Sequence, residues 1–85
     1  MTSQKKSNTH LKKQNDFYRA IGLAIRQNRD KIGMTAEQLA EKADFSTTYI
    51  HLIENAHRKV PLYTLHELAL AMDTTASDLI ADAGF

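Results

Sequence analysis

The chain has 85 residues, with 11 Lys or Arg against 10 Asp or Glu, no cysteine, three glycines and one proline. That length holds one small domain, and the missing thiols exclude disulfides and thiolate metal sites as its support, leaving oligomerisation as the remaining source. No apolar run approaches the ~20 residues of a membrane span, and MTSQKKSNTHLKKQND lacks the apolar segment of a secretory signal, so no membrane partner and a cytoplasmic location are expected. The net charge of +1 hides a split. Residues 1–31 carry eight Lys or Arg against Asp16 and Asp30, whereas residues 32–85 carry three against eight acids. Such a split is compatible with polyanion binding on one side and equally with a solvated basic tail.

In chain order, residues 1–15 are polar, rich in Lys, Ser, Asn and Gln, and lack a helical apolar period. They read as a flexible basic arm, disordered in isolation, that is either solvated or laid onto a nucleic-acid groove. A helix is expected over 16–32, its buried stripe made by Phe17, Ala20, Ile21, Ala24 and Ile25 and its end by Gly33. Gly22 inside it costs ~1 kcal/mol relative to alanine, which points to close approach of another helix.

The most informative stretch is TAEQLAEKADFSTTYIHLIE, residues 35–54. Thr35 with Gln38 reads as a capping box, and Glu37 suits the positive end of the helix dipole, so a helix is expected over 36–43. Leu39, Ala40 and Ala43 share one face, and the small Ala40 permits a steep crossing over a short turn. Asp44 tolerates the left-handed backbone and can turn the chain, leaving Phe45 to plug the corner. Ser46 caps the next helix, over 47–54, which has Ile50 and Ile53 on one side and Thr47, Thr48, His51, Leu52 and Asn55 on or near the other. That outer face is uncharged apart from its histidine.

The loop NAHRKV follows, and Pro61 suits the opening turn of a helix over 62–72 whose buried face is read as Leu62, Leu65, Leu68, Ala69 and Met72. Thr75 and Asp78 cap a final helix over 76–82 carrying Leu79 and Ile80. The expected class is all-α, five helices, with residues 16–85 as one helix-turn-helix domain. Glu54 stands at the negative end of its helix dipole, which is unfavourable by several tenths of a kcal/mol unless a cation pairs with it.

The pattern resembles the lambdoid repressor and Cro family, also called the XRE family, over about residues 17–82. Beyond residues 35–54, the likeness rests on IGLAIRQNRDKIGMT (21–35), on Pro61 with LYTLHELALAM, and on TTASDLI. The Thr48, Tyr49, Ile50 sequence is also similar to small controller proteins of restriction-modification systems. Three positions depart from the family: Ala36 where a phosphate-contacting glutamine is usual, Asp44 for the turn glycine, and Ala56 for the glycine after the recognition helix.

The resemblance implies a lambda-repressor-like fold and a sequence-specific transcriptional regulator, a dimeric repressor on a palindromic operator, with double-stranded DNA and a second copy of the chain as partners. It implies an ion pair between Arg29 and Glu54, and base contacts from Thr47, Thr48 and Leu52 with Tyr49 and His51 close by; Tyr49 could instead support the turn as a half-buried aromatic. Phosphate contacts are expected from Ser46, Asn55, His57, Arg58 and Lys59, through free N–H groups at a helix start and loop cations. Leu70, Leu79, Ile80 and Phe85 are the expected dimer surface. The His51 and Glu54 spacing suggests no third ligand, so no metal is expected; nor is an enzyme activity, a cofactor or a small-molecule effector. The competing class is a protein-interaction module, such as an antitoxin or adaptor on the same fold.

Overall fold

A computed structural model describes residues 2–85, with side chains from Thr9 onward. Five helices and no strand occur among the described residues: α1 (Thr2–Lys31), α2 (Ala36–Ala43), α3 (Thr47–Glu54), α4 (Leu62–Ala71) and α5 (Ala76–Asp82). The expected lambda-repressor-like all-α class is the observed one. Their boundaries follow from local chemistry. Thr35 accepts from the Gln38 N–H while the Gln38 side chain accepts from the Thr35 N–H, closing the capping box at 3.1 and 2.8 Å. Ser46 accepts from the Tyr49 N–H and Thr75 from the Asp78 N–H, both at 3.1 Å, so each short helix has one orphan donor satisfied at its start. Pro61 stands just before α4 as its cap rather than inside its first turn.

The helices wrap one core. Helix α2 packs on α3 and α4, whereas α1 packs on α3 and α5 and closes the other side. Ile21, Ile25, Leu39, Ile50, Ile53, Leu68 and Leu79 are the largest fully buried side chains, and every helix supplies at least one of them. No helix among the described residues is long and apolar enough to cross a membrane.

Three expectations need correction. Helix α1 does not begin near Asp16, because residues 9–15 continue the helix and are not an irregular arm. The reason is propagation: once the packed part of a helix exists, each added residue gains a bond without a new nucleus. Lys12 pairs with Asp16 at 3.1 Å on the same face, which adds to this. The part of the arm expectation that falls on residues 1–8 lies outside the residues described with side chains. Leu62, read as buried, is 73% exposed, since it occupies the first position of α4 beyond the reach of the core. Leu79, read as a dimer contact, is fully buried. Its side chain points from α5 into the core, so it supports that surface from behind and is not available to a second copy.

Gly22 fixes how closely α1 and α3 approach. A Cβ built there would stand 2.5 Å from the Glu54 carbonyl oxygen and 2.6 Å from that of Ile53, both backbone atoms that cannot rotate away. The ~1 kcal/mol of helix propensity gained by alanine is outweighed by overpacking at ~1–3 kcal/mol, at its upper end when backbone must move. Gly22→Ala is therefore expected to lower the melting temperature by at least about 4 °C in thermal unfolding.

Candidate nucleic-acid interface

The turn between α2 and α3 is set by Asp44, whose φ of 64° and ψ of 45° are left-handed. In this conformation the Phe45 N–H reaches back to the Ala40 carbonyl at 2.8 Å, and the chain leaves α2 sharply. Ala40 is buried at the crossing. Phe45 is half-buried and lies 5.4 Å from the Tyr49 ring, filling the corner. Tyr49 in turn lies under the Arg58 guanidinium, 5.8 Å from the ring centroid, a cation–π contact that orients both side chains.

Helix α3 buries Ile50, Ile53 and Glu54 and turns its other face outward. Thr48 and His51 are exposed, as is Asn55 at its end, while Thr47, Tyr49 and Leu52 are half-buried at the edges. The resulting surface is narrow, neutral and polar, with hydroxyls at its leading end. The exposed hydroxyl of Ser46, although it accepts from the Tyr49 N–H, retains its own proton to donate.

This helix is anchored by Arg29. Its Nε donates to Glu54 Oε2 at 2.8 Å and its Nη2 to Glu54 Oε1 at 2.9 Å, a bidentate fork, while Nη1 donates to the Met34 carbonyl at 3.0 Å. The Arg29 side chain is 10% and that of Glu54 3% exposed. The hydrogen bond with Glu54 raises the Arg29 pKa against the opposing effect of burial, so the guanidinium stays charged. One pair thus ties α1, the loop before α2 and the end of α3 together, and it answers the unfavourable charge of Glu54 against the dipole.

After α3 the chain turns through Ala56, whose φ of 58° is left-handed. That conformation costs a non-glycine residue ~1–2 kcal/mol, which accounts for the family's use of glycine here. The His57 N–H caps α3 by donating to the Leu52 carbonyl at 2.8 Å. His57, Arg58 and Lys59 then project from the loop, all exposed. Ala36 is buried in the core, so α2 makes no polar contact from that position. His51 and Glu54 do not converge, because one is exposed and the other buried, and no group of three metal-ligating side chains occurs among the described residues. Tyr18 and Arg19 of α1, to which the sequence assigned no role, stand beside the Ala56–Lys59 loop. Only the crossing at Gly22 brings them there.

A helix-turn-helix family model matches residues 25–79. No curated protein matches significantly. Among solved structures, the chain is similar to the clp gene regulator ClgR from Corynebacterium glutamicum, with 26% identity over 80% of this chain and 88% of that one and a TM-score of 0.77. It is also similar to the restriction-modification controller protein C.AhdI from Aeromonas hydrophila, at 27% identity, 73% and 94% coverage and a TM-score of 0.71. A hypothetical transcription factor, NHTF, from Neisseria shares the fold, at 22% identity, 79% and 77% coverage and a TM-score of 0.73.

Removing one member of a buried, bidentate pair leaves the other charge uncompensated, at a cost of ~3–5 kcal/mol. Arg29→Ala is accordingly expected to lower stability by that amount in denaturant unfolding. An unchanged midpoint would show that the pair contributes nothing to anchoring α3.

Proposed function

The chain belongs to the helix-turn-helix family, and on that premise we propose that it represses transcription as a homodimer on a roughly palindromic operator. At the coarser level it is a DNA-binding transcriptional regulator, in keeping with the regulator and controller proteins it resembles. The observation that carries the reading is the exposed neutral face of α3, held rigidly on the buried Arg29–Glu54 pair.

In the proposed complex α3 enters the major groove. Thr47, Thr48 and Leu52 face the bases, with Tyr49 and His51 alongside. Threonine can hydrogen-bond a base edge and its methyl can touch thymine, but it lacks the bidentate fork with which arginine reads guanine. Direct readout is therefore modest, and affinity comes mainly from phosphates, one held by Ser46 and the N–H groups at the start of α3 and the next by Asn55, His57, Arg58 and Lys59. The chemistry is binding, not catalysis.

Dimerisation would place two copies of α3 in successive grooves ~34 Å apart. Leu70 and Phe85, which are exposed, and Ile80, which is half-buried, supply the apolar surface for it. Leu70→Glu is expected to shift the sedimentation coefficient from dimer to monomer while the fold persists, because Leu70 is exposed. A variant that still sediments as a dimer would move the interface elsewhere.

Selection from a random DNA pool, followed by titration of the winning sequence, tests the whole reading. Arg58→Gln with Lys59→Gln should weaken all duplexes alike and reduce the slope of log K against log salt by roughly 1.8 per protomer, or roughly 3.6 for the dimer. Thr48→Ala should instead change the order of preference among sequences. A chain that selects no sequence at low salt and co-purifies with a different polypeptide would favour the interaction-module class.

A further inference from the structure

Between α1 and the loop after α3 lies an open cleft of about 280 Å³, lined by Asn15, Tyr18 and Arg19 on one side and by Ala56 with His57, Arg58 and Lys59 on the other. Its position follows from the close crossing at Gly22, where α1 rests against the last carbonyls of α3. One turn earlier on α1, the side chains of Tyr18 and Arg19 therefore stand over the loop. None of the lining residues is acidic, and three of them are Arg or Lys. The Asn15 amide and the Tyr18 hydroxyl add uncharged donors. Asp16, the acid nearest to Arg19, lies 3.7 Å from it but outside the lining, in an exposed pair with side chains 72% and 51% accessible. Such a pair is weak and leaves Arg19 free to turn to a stronger anion. Arg58 is already oriented by the Tyr49 ring.

Like charges brought together with only one weakly held, exposed acid at their edge repel one another, and an anion relieves this. We infer that the cleft is a phosphodiester-binding site, with Arg19 of α1 and Arg58 of the loop gripping one DNA phosphate at the flank of the half-site. The inference rests on the regulatory reading above and extends it. The helix-turn-helix unit is then not the whole contact surface, since α1, which packs on α3, becomes part of the grip. The extension of α1 beyond Asp16 carries the exposed Lys12 and Lys13 past the cleft along the same helix.

The test compares Arg19→Gln with Lys31→Gln on the selected duplex. Both are exposed cations of α1, but Lys31 is twelve residues away, ~18 Å along the helix and beyond a Debye length at physiological salt. Arg19→Gln is expected to raise Kd about three- to tenfold, to reduce the log K against log salt slope by about 0.9 per protomer, or about 1.8 for the dimer, and to remove the outermost phosphate of each half-site from the ethylation-interference footprint. Its melting temperature should match that of the unsubstituted chain, since the side chain is exposed. Lys31→Gln should leave Kd, slope and footprint nearly unchanged. Equal effects of the two variants, or an Arg19→Gln variant with the original slope and footprint, would overturn the cleft while leaving the regulatory reading standing. Failure of the unsubstituted chain to bind any selected DNA would remove both.

Discussion

The architecture turns on the contact between α1 and the end of α3, where a buried bidentate ion pair and a glycine act together. Arg29 forks onto Glu54 with both donors below 3 Å, and Gly22 lets the α1 backbone reach the carbonyls of Ile53 and Glu54. Each needs the other. A larger residue at position 22 would push α3 away and lengthen the fork, whereas a missing cation at position 29 would leave a buried carboxylate facing the negative end of a helix dipole. In a chain this small, with no disulfide, this clamp fixes where α3 sits against α1.

That clamp also explains why α3 can present a neutral outer face. A short helix of eight residues is unstable in isolation and holds its place through the stripe it buries and through its ends. Ser46 satisfies the N-terminal end, Arg29 and the His57 N–H the C-terminal end, and Ile50 and Ile53 the buried side. The exposed outward residues are then released from structural duty, unlike Tyr49, which packs on Phe45. Thr48 and His51 have no packing role, and their chemistry can be set by what they touch rather than by what they support.

Charge is divided by the fold as well as by the sequence. The acids of the C-terminal half are mostly exposed, on α2, on α5 and in the turns at Asp44 and Asp73, while Arg19, Arg58 and Lys59 come together across the α1 crossing. An electrostatic footprint that looks weak as a net charge of +1 is thereby concentrated on one side. Left-handed turns at Asp44 and Ala56 bracket α3 and set the directions of the chain on either side of it. The second is strained, because alanine replaces a residue without a Cβ.

The residues themselves determined the local features. Thr35 with Gln38, Ser46, Asp44, Gly33 and Thr75 with Asp78 mark where helices start and stop, because caps and turns depend on side chains a few positions apart. Apolar spacing identified most of the core for the same reason, and the charge of Glu54 announced that a cation must stand nearby. What the sequence misjudged was which leucines meet the core: Leu62 and Leu79 have similar periodic signals, yet one, at the start of α4, is exposed and the other, in the middle of α5, is central, since periodicity gives a face and not what lies opposite it. The length of α1 was hidden because solvated helix propagates without an apolar period. Only the tertiary structure decided that Gly22 sets the α1 approach, that Leu79 belongs to the core, and that Tyr18 and Arg19 meet residues nearly forty positions away. Those facts depend on distances between helices, which are fixed when the whole core packs and which no local pattern encodes.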